Sequence, residues 1–194
     1  MQAAICVAFT GFLCTGEFTY NTWNQSSHET NISHGAIVFN EGSVTITLPK
    51  SKMDPFGKGV AILMPATNDP ICPRHALKKL LCKYPASADA PLFACHNTHG
   101  YKDGFCFHRN WFLDNLRDLL IKAGINPIGY NGHSFRREAA HSVAAACMSP
   151  EEIQILGRWK SDSYRLYTGS DNIRRLQLTT KVNRNLCTRA PQAK

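Results

Sequence analysis

The residue types that could do chemistry together lie between Asn131 and Gly169. His133 and Arg136 are three positions apart at the predicted start of a helix, and side chains with this spacing share one face. A guanidinium can bind two phosphate oxygens, an imidazole can donate to an oxygen or move a proton, and a helix N-terminus favours an anion. Tyr167 follows, and its phenol is a poor nucleophile at neutral pH because the ordinary pKa is about 10. The pattern predicts a site that binds a phosphate and directs a tyrosine at it.

The composition predicts a globular protein with an anionic partner. The 194 residues fit one domain, or one domain with a tail, and the formal net charge is +8. Nucleic acid is the commonest partner of a basic domain, although a basic surface with no dedicated partner is the alternative. The eight cysteines are an even number, which is compatible with a set of disulfides. However, Cys82 and Cys147 lie within helical apolar patterns, where a thiol packs as a small hydrophobe. We therefore expect reduced cysteines and an intracellular protein.

The first fourteen residues are apolar, as in a secretory leader. They carry no positively charged start and are too short to span a bilayer, so a core helix is the better interpretation. No membrane association is predicted.

Periodicity and turn residues predict the elements that must position the site. Three short strands are expected at 36–39, 44–48 and 60–64, with a basic tip from Pro49 to Gly59 between the last two. Helices are expected over 3–14, 72–84, 109–123 and 134–147, from 150 to about 157, and in a short segment that carries Tyr164 and Tyr167. The fold class is therefore mainly α with a small antiparallel three-stranded sheet, that is, α+β.

Two segments and a tyrosine carry a family resemblance. Gly132–Ala140 and Gln154–Asp162, followed by Tyr167-Thr168-Gly169, resemble the catalytic core of the tyrosine recombinases, or phage-type integrases. They are most similar to recombinases of Crypton- and DIRS-type mobile elements, which often read Gly-Arg-Trp here. The resemblance covers about Ala4 to Gly169. It implies the family's catalytic-domain fold and attack of a tyrosine on a DNA phosphate. The products are a covalent 3′-phosphotyrosyl link and, later, a rejoined strand, without a nucleotide or metal cofactor.

The same resemblance assigns roles to individual residues. Tyr167 matches the nucleophile, Arg136 the second active-site arginine, and His133 its partner histidine. The position that supplies a further hydrogen bond to the phosphate is a histidine or tryptophan in the family. Here it falls on Trp159, whose indole N–H only donates, or on Arg158, which the spacing favours. The choice between these two stays open.

Two further assignments have competitors. Lys52, on the predicted hairpin tip, matches the mobile lysine that protonates the leaving 5′-oxygen, and Lys50 or Lys58 could take its place. Tyr164 competes with Tyr167 for the role of nucleophile, but we expect it to pack beneath the short helix.

Cys14 is the main departure from the family pattern. It stands in Phe12-Leu13-Cys14-Thr15-Gly16-Glu17, where the family has its first catalytic arginine. A neutral thiol cannot replace a bidentate cation. Loss of one preorganised donor costs about 10²–10³ in rate, and loss of an arginine at a transferring phosphoryl group about 10³–10⁵. We also expect Glu17 to lose the partner that this arginine would provide. Two interpretations follow: a recombinase impaired by Cys14, or an inactive DNA-binding remnant of a mobile-element recombinase.

The remaining predictions concern organisation and partners. A catalytic domain is expected over 1–170, without the N-terminal DNA-clamping domain of the family, and a polar C-terminal tail over 171–194. The expected partner is double-stranded DNA, bound by a homo-oligomer, and the expected location is the nucleus. A rival motif contains zinc-ligand types, but its adjacent Cys-His pair and loose spacing match no common structural site, so no metal is predicted. Its members are Cys95, His96, His99, Cys106 and His108.

Overall fold

The computed structural model of the chain describes residues 1–49, 59–94 and 107–166. The chain divides into two compact units, Met1–Ala139 and Ala140–Lys194. The described helices are α1 (Gln2–Thr10), α2 (Pro73–Lys83), α3 (Arg109–Lys122), α4 (Ser134–Ala145) and α5 (Pro150–Gly157), and the strands are β1 (Ile37–Asn40), β2 (Ser43–Leu48) and β3 (Val60–Pro65). The predicted α+β class is confirmed.

The three strands form one antiparallel sheet in the order β1-β2-β3. β1 and β2 meet at a tight turn in which Asn40 pairs with Ser43. Gly42 in this turn has φ 73°, a conformation that glycine adopts without a side-chain clash. Along β2 and β3 every second side chain is buried, which gives the sheet one face in the core. The buried side chains are Val44, Ile46, Leu48, Ile62 and Met64.

A hydrophobic cluster of described residues forms the core of the first unit and includes side chains of α1, the sheet, α2 and α3. An aromatic group within it holds the segment that follows α1. The ring of Phe18 lies edge-on to those of Phe112 and Phe93, with centroids 5.0 and 6.1 Å apart. Such pairs contribute about 0.5–1.5 kcal/mol beyond the burial of their surface. This packing fixes the chain immediately after Glu17.

The predicted extent of α1 was wrong at its C-terminal end. The helix ends at Thr10 instead of residue 14, because the backbone of Phe12 turns into the left-handed region with φ 52°. The Phe12 N–H donates to the Phe9 carbonyl at 3.2 Å, and the Leu13 N–H donates to the Ala8 carbonyl at 2.8 Å. These two bonds are those of a Schellman helix end. The apolar spacing continues past it only because Phe12 and Leu13 are themselves buried.

Helix α5 begins as its sequence predicts. The hydroxyl of Ser149 accepts from the Glu152 N–H at 3.2 Å, and the Glu152 carboxylate accepts from the Ser149 N–H at 2.7 Å. Pro150 stands at the first helical position, where its missing N–H costs no helical hydrogen bond. The helix that carries Gly157, Arg158 and Trp159 at its end is therefore fixed at its start. None of the described helices combines the length and the apolarity needed to cross a bilayer.

Candidate phosphate-binding site

Two distant segments of the first unit meet at the predicted site. The N–H of Thr15 donates to the carbonyl of Gly132 at 2.9 Å, and its hydroxyl donates to the same oxygen at 3.3 Å. Thr15 is completely buried. These bonds join the loop after α1 to the start of α4, and they bring Cys14 and His133 side by side.

The Cys14 thiol contacts the imidazole of His133. Sγ and Nδ1 are 3.2 Å apart, a hydrogen-bond distance for this pair. The loop before α4 also fixes the histidine backbone, because the Asn131 side-chain oxygen accepts from the His133 N–H at 2.9 Å. The thiol can donate to Nδ1 in the tautomer of the neutral imidazole that carries its proton on Nε2. The histidine side chain is exposed, so Nε2 can serve as a donor to an incoming group.

Arg136 is bound to the same loop. Its Nε donates to the carbonyl of Phe12 at 2.7 Å, and its Nη2 donates to the carboxylate of Glu17 at 2.6 Å. The arginine and glutamate side chains are only 16% and 17% exposed, so solvent screens this ion pair weakly. The two bonds use two of the five N–H groups of the guanidinium.

Glu17 lacks the partner that an arginine at position 14 would provide, but it pairs with Arg136 instead. The same carboxylate oxygen that accepts from Arg136 also accepts from the Cys14 N–H at 2.8 Å. Glu17 therefore keeps a cationic partner although residue 14 is not an arginine. The sequence could not reveal this, because the ion pair depends on how the loop after α1 lies against α4.

Arg109 is a cation near the site that the sequence analysis missed. It is the first residue of α3, and its guanidinium lies against Gly132: a Cβ added to that glycine would be 2.5 Å from Nη2. The same Cβ would be 2.5 Å from the Thr15 hydroxyl, so a side chain at position 132 would have to displace these neighbours. The sequence feature that could have identified Arg109 is a basic residue in the first turn of a helix, where the helix dipole disfavours positive charge.

Arg158 and Trp159 belong to the second unit. Arg158 ends α5 in the left-handed region with φ 58°. Its N–H donates to the Ile155 carbonyl at 3.1 Å, and the Trp159 N–H donates to the Gln154 carbonyl at 3.0 Å. Arg158 thus makes the turn that follows the helix and directs the chain into Trp159.

The indole of Trp159 is held by neighbours within the second unit. It packs over Gly157, where a Cβ would collide with the ring. Its ring centroid is 6.2 Å from that of Tyr164. Tyr164 is only 4% exposed, as expected of a packing residue.

Several sequence-predicted residues lie outside the described ranges. These are Tyr167, Lys52 with its alternatives Lys50 and Lys58, most of the Cys-His cluster, and the predicted tail. Within residues 1–49, 59–94 and 107–166, no group of three or more His, Cys, Asp and Glu side chains is arranged to hold a metal ion. Of the predicted site residues, the structure brings together Cys14, His133 and Arg136 in the first unit, and Arg158 and Trp159 in the second.

No protein family model and no curated protein matches the sequence. Solved structures do match the fold. The XerH site-specific recombinase bound to difH substrate superposes with a TM-score of 0.63, 16% identity, and coverage of 92% of this chain and 45% of that one. XerA recombinase superposes with a TM-score of 0.62 and 18% identity, and the match covers 92% of this chain and 55% of that one. The Tn1549 transposon integrase in complex with circular intermediate DNA superposes with a TM-score of 0.52 and 16% identity, and the match covers 92% of this chain and 58% of that one. The chain spans about half the length of these proteins, and it has the fold of a tyrosine recombinase catalytic domain.

Proposed function

We propose that this chain is the catalytic domain of a DNA breaking-and-rejoining recombinase that acts through a 3′-phosphotyrosyl intermediate at Tyr167. The observation that carries the proposal is the convergence of Cys14, His133 and Arg136 on a fold shared with site-specific recombinases. The resemblance to Crypton- and DIRS-type elements supports a mobile-element origin. Double-stranded DNA is the proposed substrate, a homo-oligomer on DNA the proposed assembly, and the nucleus the proposed location.

Each group then has a part in the reaction. The phenolic oxygen of Tyr167 loses its proton to solvent and bonds to phosphorus. The bond to the 5′-oxygen breaks, and Lys52 gives that oxygen a proton. Arg136 and His133 donate hydrogen bonds to the non-bridging oxygens, where negative charge builds in the transition state. Trp159 adds a further N–H, with Arg158 as the alternative donor. Attack by a 5′-hydroxyl on the phosphotyrosyl bond rejoins the strand and releases the phenol.

A covalent trap tests the chemistry. The substrate is a pool of nicked DNA duplexes whose central sequence is randomised. After cleavage, the short piece of strand next to the nick diffuses away and cannot be rejoined, so the covalent adduct accumulates. We expect a protein–DNA adduct that resists denaturation, and we expect Tyr167→Phe to abolish it. Tyr164→Phe is the matched control and should leave the adduct in place. If the parent and Tyr167→Phe proteins trap DNA equally, Tyr167 is not the nucleophile.

A second candidate function is DNA binding without cleavage, and Cys14 is the observation that favours it. A thiol donates at most one weak hydrogen bond, so the site lacks the charge that an arginine would bring to the phosphate. This candidate predicts that the parent protein binds duplex DNA but forms no adduct with any member of the pool. Adduct formation that depends on Tyr167 would exclude it.

A further inference from the structure

Arg109 is a guanidinium placed beside the site without a counter-ion in the described part of the chain. No hydrogen bond or ion pair among the described residues engages its side chain, and the residue is exposed. By contrast, Arg117 on the same helix pairs with Asp114 at 2.8 Å. A cation without an acidic partner is available to an anionic ligand.

The position of the Arg109 guanidinium is set by its contact with the backbone of Gly132. Its Nη2 and Cζ would be 2.5 and 2.9 Å from a Cβ at Gly132, so the guanidinium rests on the backbone of that glycine. Gly132 directly precedes His133, and Thr15, which touches the same point, directly follows Cys14. The guanidinium therefore lies over the junction of the two segments whose side chains form the Cys14–His133 contact.

The start of α3 adds a second reason to expect an anion. This helix has 14 residues, no acidic residue in its first turn and no side-chain cap, so its first N–H groups and its dipole favour negative charge at that end. Arg109 occupies this end although the dipole disfavours a cation there. A phosphate beside Arg109 would relieve that conflict.

We propose that Arg109 supplies the second guanidinium to the DNA phosphate at this site, in place of the cation that Cys14 cannot provide. This inference rests on the proposed function. Arg109 and Arg136 then approach the phosphate from different elements, α3 and α4, while His133 lies between them in the chain. Gly132 serves as a positioning residue, because any side chain there would displace the Arg109 guanidinium.

A substitution series tests the replacement. Arg109→Ala should reduce the rate of adduct formation by about 10²–10³. Adding Cys14→Arg to Arg109→Ala should restore most of the rate, whereas Cys14→Arg in the parent should change it less than tenfold. Arg117→Ala is the matched control and should leave the rate unchanged. If Arg109→Ala has the parent rate, or if the folded double variant recovers none of it, the proposal is overturned.

Gly132 gives an independent route to the same site. Gly132→Ala should reproduce the loss seen with Arg109→Ala, because the added methyl group occupies the place of the guanidinium. Gly16→Ala is its matched control, since a Cβ at Gly16 would meet no atom within 4 Å. Melting temperatures of all variants report whether each protein is folded. A folded Gly132→Ala protein with the parent rate would contradict the proposed position of the Arg109 guanidinium.

Equilibrium binding separates this proposal from the proposed function. In a Tyr167→Phe background, where no adduct can form, Arg109→Ala should weaken duplex binding and reduce the slope of log affinity against log salt by about 1. Arg117→Ala should leave the slope unchanged. If the parent forms no adduct but Arg109→Ala still lowers the slope, recombinase chemistry is refuted and the phosphate contact stands. An unchanged slope refutes the contact whether or not the parent cleaves DNA.

Discussion

The Glu17 carboxylate joins the loop after α1 to Arg136 on α4. One of its oxygens accepts hydrogen bonds from Arg136 and from the Cys14 backbone, so it fixes the guanidinium and the loop at once. Its negative charge also offsets part of the positive charge of Arg136. A phosphate that approaches Arg136 therefore meets an arginine that is well positioned but partly neutralised.

Removal of this carboxylate should destabilise the fold. A hydrogen bond to a charged group contributes about 1.5–3 kcal/mol, and the pair is more than four-fifths buried. We therefore expect Glu17→Ala to lower the free energy of unfolding by about 2 kcal/mol in urea denaturation. Glu41→Ala, at the exposed β1–β2 turn, should change it by less than about 0.5 kcal/mol. Equal effects of the two substitutions would show that the ion pair contributes nothing specific.

Residues in the left-handed region of backbone conformation follow three of the described helices. Phe12 follows α1, Cys147 follows α4 and Arg158 follows α5, with φ between 52° and 64°. A side chain in this conformation costs about 1–2 kcal/mol, which glycine avoids. Phe12 lies two residues before Cys14, and Arg158, the alternative donor, directly precedes Trp159, so these backbone turns help to place Cys14 and Trp159.

Glycine substitution at the end of α5 tests which residue donates to the phosphate. We expect adduct formation to continue in Arg158→Gly, since Trp159 is the proposed donor and glycine adopts the left-handed conformation without strain. Cys147→Gly is the matched control, with the same backbone conformation and no proposed role in the chemistry. If Arg158→Gly alone abolishes the adduct, Arg158 is the phosphate donor. A Trp159→Phe protein lacks the indole N–H. Its rate of adduct formation should fall if Trp159 is the donor and should not change if Arg158 is the donor.

The short 3-10 segment His34–Ala36 should make stability depend on pH. Burial lowers the pKa of His34 below its ordinary value of 6.5, and a hydrogen bond with the Pro91 backbone offsets part of this effect. As the pH falls through 6.5, the unfolded chain takes up a proton that the folded chain resists. The free energy of unfolding should therefore fall from that pH downward.

The measurement is urea denaturation from about pH 8 to about pH 5, compared between the parent and His34→Gln. Glutamine does not titrate, so the variant should lose part of the decline at acidic pH. An identical decline in both proteins would rule out His34 as a contributor.

At the scale of the whole molecule, the net charge of +8 predicts electrostatically driven DNA binding. Log affinity for a duplex should fall linearly with log salt, and a protein that makes six to ten phosphate contacts loses about 10³–10⁵ in affinity between 50 and 200 mM salt. Fluorescence anisotropy over this range measures the slope. A duplex with uncharged methylphosphonate linkages is the control and should bind weakly at every salt concentration. A flat response with natural DNA would contradict phosphate-driven binding.

The sequence predicted most of the architecture but not the contacts that hold the candidate site together. Hydrophobic periodicity and turn residues were enough for the sheet and for α2 to α5, because those signals lie within short stretches of sequence. The end of α1 was missed because Phe12 and Leu13 keep the apolar spacing after the helix has stopped. The Glu17–Arg136 ion pair and the contact of Arg109 with Gly132 join positions more than twenty residues apart. Such contacts depend on tertiary packing, and a local sequence pattern carries no information about it.

The position of the Cys14 thiol has a practical consequence. A sulfur 3.2 Å from the His133 imidazole is a natural covalent anchor where the DNA backbone is proposed to lie. A duplex that carries a short disulfide tether on one linkage could be captured there by thiol exchange, and Cys14→Ser would not capture it. The residue that deprives the site of a charge would thereby hold a protein–DNA complex together for crystallisation.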